Sequence, residues 1–114
     1  MNFASILPGT LDLLVLKALS LGREHGYGVL LRIQRASGAE LAVEQGALYP
    51  ALARLEAQGL VEAEWGVSGN NRRAKFYTIT RDGRARLRDD TAQWRRFVDC
   101  LERVLGTPSL GALR

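Results

Sequence analysis

Two alternating runs, "LVEAEWGV" and "RRAKFYTIT", flank the turn-forming "SGNN". Period-two alternation rich in β-branched and aromatic residues, broken by Gly and Asn, reads as a β-hairpin. A lone hairpin is marginal in water and needs something apolar laid across one face. The segment just before it supplies a helix. In "EQGALYPALARLEAQG", Leu48, Leu52 and Leu55 fall at i, i+4 and i+7, so they share a face. That helix runs from Glu44 or Gln45 to Gln58 and is stopped by Gly59. Pro50 lies inside it, although an interior proline costs roughly 3 kcal/mol.

The remaining elements are helical. Thr10 follows Pro8-Gly9 and stands where an N-cap belongs, before "LDLLVLKALSLG". Its leucines cover nearly every face, so this helix is expected to be buried all round, with a second subunit completing the cover. "REHGYG" reads as a turn and "YGVLLRIQRASG" as a second helix. Val29, Leu30 and Ile33 face inward there, and Arg32 and Arg35 point elsewhere. "AELAVEQ" reads as a brief strand or a turn. The last long element is "RDGRARLRDDTAQWRRFVDCLERVLG", capped by Thr80. Leu87, Trp94, Val98, Leu101 and Leu105 form its apolar stripe, with Phe97 and Val104 beside it.

The order helix, helix, helix, hairpin, long helix predicts a mainly α fold with a β-hairpin. This is a winged helix-turn-helix plus a C-terminal dimerisation helix. Residues 1–80 form the winged helix-turn-helix domain, 81–106 the dimerisation helix and 107–114 a flexible tail. At 114 residues one domain is expected. The 46% hydrophobic and 25% charged content is ordinary for a soluble globular protein. Apolar runs are too short for a bilayer, so no membrane partner is expected. "MNFASILPGT" has no basic stretch, so no secretory leader is expected. Cys100 is the single cysteine, which excludes an internal disulfide and points to the cytoplasm. One histidine and one cysteine, far apart, offer neither triad nor metal cluster, and no glycine-rich phosphate loop is present. An enzyme, a metal site and a cofactor are not expected.

The net charge is +4, and Lys17 and Lys75 are the only lysines among 16 basic residues. Arginine's planar fork suits phosphates and guanine edges. Position gives this charge meaning. At about 100° per residue, Gly46, Pro50, Ala53 and Ala57 lie opposite the apolar face of the third helix, flanked by Tyr49 and Arg54. A small, flat face near a helix N-terminus admits close approach to base edges in a major groove. A plain alanine-rich surface is the competing reading. Arg72, Arg73 and Lys75 fall within four positions beside the hairpin tip. Such a cluster suits a wing touching phosphates or the minor groove; a charge-guarded sheet edge is the alternative. Tyr27 stands at the start of the second helix, where free N–H groups favour phosphate. His25 is favoured as a turn residue without special role.

The stripe of the last helix has no place on so small a core. It is expected to meet a second copy, through Trp94, Phe97, Val98, Leu101 and Leu105 with Leu14 of the first helix. Packing within one chain is the alternative. Trp94 at a dimer centre also suits stacking of a flat ligand. Cys100 is expected to act as a small buried hydrophobe.

The segments "GTLDLLVLKAL", "HGYG", "QGALYPALARLEAQGLVEAEW" and "NNRRAKFYTITRDGRARL" together resemble the PadR family of transcriptional regulators. The Leu-Tyr-Pro-x-Leu-x-x-Leu-Glu pattern from Leu48 to Glu56, joined to the basic wing, carries the resemblance, with "YTIT-x-x-G" from Tyr77 to Gly83. The resemblance implies a dimeric repressor bound to a double-stranded DNA operator. It implies DNA contact by Tyr27, Gln45, Gly46, Tyr49, Pro50 and Arg54, and backbone contact by Arg72, Arg73 and Lys75. The single C-terminal helix resembles the short-form branch, which implies dimerisation through that helix. In some members a planar aromatic effector binds at the dimer centre, where Trp94 matches the aromatic involved. Two other readings stay open: a small-molecule sensor whose regulated event is that binding, and a winged-helix protein-interaction module.

Overall fold

A computed structural model describes residues 9–114. The leader reading and the start of the first domain, residues 1–8, lie outside the described residues. The elements are α1 (Leu11–Ser20), β1 (Glu24–His25), α2 (Gly26–Ala36), α3 (Gln45–Ala57), β2 (Val61–Val67), β3 (Arg73–Ile79) and α4 (Arg81–Leu105), followed by a 3-10 turn at Leu110–Leu113. Helices dominate around a small antiparallel sheet, the winged helix-turn-helix architecture predicted above.

The hairpin pairs Val61 with Ile79 through to Val67 with Arg73. Its turn closes with Asn71 N–H on the Ser68 carbonyl at 2.9 Å and Ser68 N–H on the Arg72 carbonyl at 2.8 Å. Asn71 takes the left-handed conformation, φ 58°, which asparagine tolerates better than most residues. The sheet has a third strand that alternation did not reveal. "REHGYG" is not simply a turn, because Glu24 and His25 pair with Tyr77 and Phe76 of β3. A two-residue strand shows no period, and only its tertiary partner defines it.

The core gathers Val15, Leu16 and Leu19 of α1, Val29 and Ile33 of α2, Leu48, Leu52 and Leu55 of α3, and Val61, Tyr77 and Ile79 of the hairpin. α1 runs through the middle, against α2, α3, α4 and β3. One copy buries the centre of α1 and half-buries Leu11, Leu13 and Leu14, so much of the cover expected from a second subunit comes from within the chain. Thr10 also differs from expectation. It stands at the N-cap with helical backbone angles and no side-chain cap bond, and its carbonyl accepts from Leu14 N–H at 3.0 Å.

The end of α3 is a Schellman motif. Leu60 N–H donates to the Leu55 carbonyl at 2.9 Å and Gly59 N–H to the Glu56 carbonyl at 3.0 Å. Gly59 has φ 73°, which glycine adopts without penalty. Leu60 and Leu55 both join the core, fixing the angle at which the chain enters β2. α3 continues unbroken through Pro50. The ring removes the donor for the Gly46 carbonyl, but Gly46 and Pro50 are exposed, so water can serve that acceptor.

Thr80 caps α4 as predicted: its Oγ1 accepts from Gly83 N–H at 3.0 Å and donates to the Gly59 carbonyl at 2.8 Å. A Cβ on Gly83 would run into the Leu60 carbonyl, so only glycine lets α4 seat this closely. Leu87 packs on the core, and beyond it α4 extends as an arm that contributes to a longest dimension of 63 Å. Among the described residues, no helix is long and apolar enough to cross a membrane.

Candidate nucleic-acid interface

Strand parity divides the hairpin into two chemically different faces. Val61, Ala63, Trp65 and Val67 share one face with Ile79, Tyr77, Lys75 and Arg73. Near the base this face is core. Farther out it leaves the core and carries cations. The opposite parity holds Glu62, Glu64, Phe76 and Thr78. There Glu64 pairs with Arg23 at 3.1 Å, Arg23 lies 4.2 Å over the Phe76 ring, and His25 meets that ring edge-on. The glutamates are thus kept on the face turned away from the cationic row.

The cationic face borders a cleft of about 780 Å³ between the wing and the starts of α2 and α3. Tyr27, Tyr49, Trp65, Arg72, Arg73 and Lys75 line it. Tyr27 and Tyr49 are each about half exposed. The Tyr49 ring lies over Gly26, where a Cβ would come within 2.6 Å of Cε1, so this glycine lets α3 and the α2 turn close together. Lys75 Nζ pairs with Glu56 Oε1 at 3.3 Å, and the Arg73 guanidinium sits 4.7 Å over the Trp65 ring. Arg72 is exposed at the tip, without a side-chain partner among the described residues. Burial pushes the Tyr77 hydroxyl above its ordinary pKa, so it stays neutral beside these cations.

α3 presents its faces as its periodicity requires. Leu48, Ala51, Leu52 and Leu55 are buried, while Gly46, Pro50, Ala53 and Ala57 are exposed. Gln45 opens the helix in solvent. A Cβ on Gly46 would meet nothing, so packing does not demand this glycine. The structure brings Tyr27, Tyr49, Arg72, Arg73 and Lys75 to one cleft, and leaves Gln45, Gly46, Pro50 and Arg54 on the adjoining α3 surface. Arg54 Nη2 is held by Asp12 Oδ1 at 2.9 Å, toward the start of α1.

On α4, Trp94, Phe97, Leu101, Val104 and Leu105 are exposed and Val98 is half-buried. Trp94 and Phe97 rings are tilted at 5.8 Å. They border a shallow recess of about 430 Å³ with Thr10, Leu13, Asp90 and Gln93. Leu14 is half-buried, packed against the core, and borders a recess between α1 and α2. Cys100 is exposed in the single chain, contrary to the reading of a buried hydrophobe.

Sequence reasoning missed a clamp behind the cleft. Arg32 does not point idly outward: it donates to the carbonyls of Ala18 and Gly22 at 3.0 and 2.6 Å, and to Glu24 Oε2 at 3.2 Å. Glu24 also accepts from His25 N–H, and His25 Nδ1 caps α2 by accepting from Gly28 N–H at 3.1 Å. His25 is thus a cap, not a residue without a role. Glu24 lies so near Gly28 that any side chain there would displace it. Trp65 was also missed as a cleft residue. Its parity with Val61 and Ala63 was the available signal.

Comparison with known proteins agrees with this geometry. A family model described as "Transcriptional regulator PadR-like family" matches residues 15–89. A PadR family transcriptional regulator from Eggerthella lenta is 34% identical, with TM-score 0.74 over 87% of this chain and 84% of its own. One from Clostridium difficile is 26% identical, with TM-score 0.73 over 86% of this chain and 100% of its own. A transcriptional regulator from Clostridium thermocellum shares the fold, with TM-score 0.76 at 24% identity over 83% of this chain and 92% of its own.

Proposed function

The chain belongs to the PadR-like family of transcriptional regulators, DNA-binding regulators rather than enzymes, and from that premise we propose that it is a homodimeric repressor acting on a cytoplasmic operator. The observation that carries this reading is the split of the hairpin: cations on the face bordering the cleft beside α3, glutamates on the other. A duplex laid against the first face meets Arg72, Arg73 and Lys75 without meeting Glu62 or Glu64. Tyr27 adds a hydroxyl at the start of α2. Gln45, Gly46, Tyr49, Pro50 and Arg54 form the α3 surface for the groove. Because few of these read bases through paired hydrogen bonds, sequence preference draws on DNA shape. The carboxylates on Arg54 and Lys75 are exposed partners worth about 0–1 kcal/mol each, and phosphates replace them readily.

The apolar stripe of α4 supports dimerisation through Trp94, Phe97, Val98, Leu101 and Leu105, with Leu14 of α1. Two copies would then present their α3 helices to half-sites roughly 34 Å apart. Fluorescence anisotropy on a duplex carrying the native promoter region tests the reading. Affinity falls steeply with salt, and Arg73→Ala weakens binding on all sequences and flattens the salt slope by about 1. Binding indifferent to salt, or no binding to that duplex, overturns it.

The recess beside Trp94 and Phe97 favours a second reading, in which a planar aromatic effector enters at the dimer centre and releases the operator. Planar aromatics then quench tryptophan emission, and Trp94→Ala abolishes the quench while light scattering still reports a dimer. Flat titrations across a broad panel leave a repressor set by its own concentration.

A further inference from the structure

Trp65 is 61% exposed and lies outside the hydrophobic core. Its place in the hairpin is that of the core-side row, one pair beyond Ala63–Tyr77, directly opposite Lys75. Diagonally across the strands, Arg73 lays its guanidinium 4.7 Å over the indole. The wing cations are therefore held in different ways. Lys75 is tied to a carboxylate. Arg72 has no side-chain partner among the described residues. Arg73 rests on an aromatic face, and both members of that stack border the cleft.

The distinction matters when an anion arrives. A carboxylate occupies the N–H donors a phosphate needs and must be displaced. A ring attracts the cation through its π face and brings no oxygen to compete with a phosphate for the N–H donors. The stack restrains a long, mobile side chain without consuming its hydrogen-bonding capacity, which lowers the ordering cost on binding. We propose that Trp65 is a positioning residue for DNA binding, which holds Arg73 ready in the cleft for a backbone phosphate. This rests on the wing-contact reading above.

A double-mutant cycle tests it on the full-length chain. Trp65→Leu and Trp65→Phe are each made with Arg73 intact and with Arg73→Ala, and operator binding is titrated at several salt concentrations. Trp65→Leu keeps apolar bulk and removes the π face; it weakens binding about two- to fivefold for each wing engaged. Trp65→Phe loses less. With Arg73→Ala in place, Trp65→Leu changes nothing further. Thermal melts separate hairpin stability from this effect, since a loss of strand pairing lowers the melting temperature whether or not Arg73 is present. Equal losses of affinity in both backgrounds, or none with Arg73 intact, overturn the proposal while leaving the wing in contact with DNA. If Arg73→Ala itself binds as tightly as the parent, the wing-contact reading fails, and the positioning role fails with it.

Discussion

α1 and α4 are both rich in apolar side chains, and the fold treats them in opposite ways. In α1 the apolar residues crowd nearly every face, and one chain buries Val15, Leu16, Ala18 and Leu19 and half-buries Leu11, Leu13 and Leu14, because α2, α3, α4 and β3 pack against the helix. In α4 the apolar residues keep to a narrow stripe, yet beyond Leu87 the single chain leaves most of that stripe exposed, with Phe97 and Val104 at 57% and 71% exposure. The amount of apolar surface on a helix therefore does not tell whether a partner is needed. What decides is how many neighbours the topology can bring to it. A central helix collects its cover from every later element. A C-terminal helix that outruns its domain meets α1 near its start and collects little beyond.

The largest expected effect sets the two helices' environments apart. Leu52→Ala, in the core beside α1, costs about 2–5 kcal/mol of stability by urea denaturation. Leu101→Asp on the arm leaves the chain folded and shifts it to monomer in light scattering. Loss of folding with Leu101→Asp, or an unaltered dimer, breaks the contrast. Gly83→Ala probes the joint between the two regions. The new methyl meets the Leu60 carbonyl, and stability falls by about 1–3 kcal/mol. Thr80→Ala removes the α4 cap and costs about 1 kcal/mol, read in the same denaturation series. The smallest effect concerns Tyr77. Burial raises its folded pKa, so its contribution is fully present below pH about 10 and fades above it, as the unfolded chain gives up its proton first. Melts above pH 10 show the decline, and Tyr77→Phe removes it.

What was legible follows from the kind of signal each element leaves. α3 and α4 announce themselves through period and caps, and the hairpin through alternation around "SGNN". The faces of α3 could be assigned residue by residue for the same reason. β1 left no period because it has two residues. The Arg32 clamp was invisible because two of its three acceptors are backbone carbonyls, which no residue type advertises. The counterions Asp12 and Glu56, and the ring beneath Arg73, are contacts across elements 42, 19 and 8 positions away in the chain, so the cations could be named but not their state. How much of α1 one chain would cover was not legible, because periodicity counts apolar residues on a helix and says nothing of the neighbours available to them.

The junction around Gly59, Leu60, Thr80 and Gly83 has a mechanical consequence. There the end of α3, the root of the wing and the start of α4 are tied within a few hydrogen bonds and one close backbone approach. α4 spans 25 residues, about 37 Å at the usual rise. Turning it by about 5° around that joint carries its far end through about 3 Å, roughly the rise of one base pair. In the proposed dimer the joint would work as the hub of a pair of callipers: the stiffness of a few atoms around one glycine would govern how finely the gap between two reading heads is set.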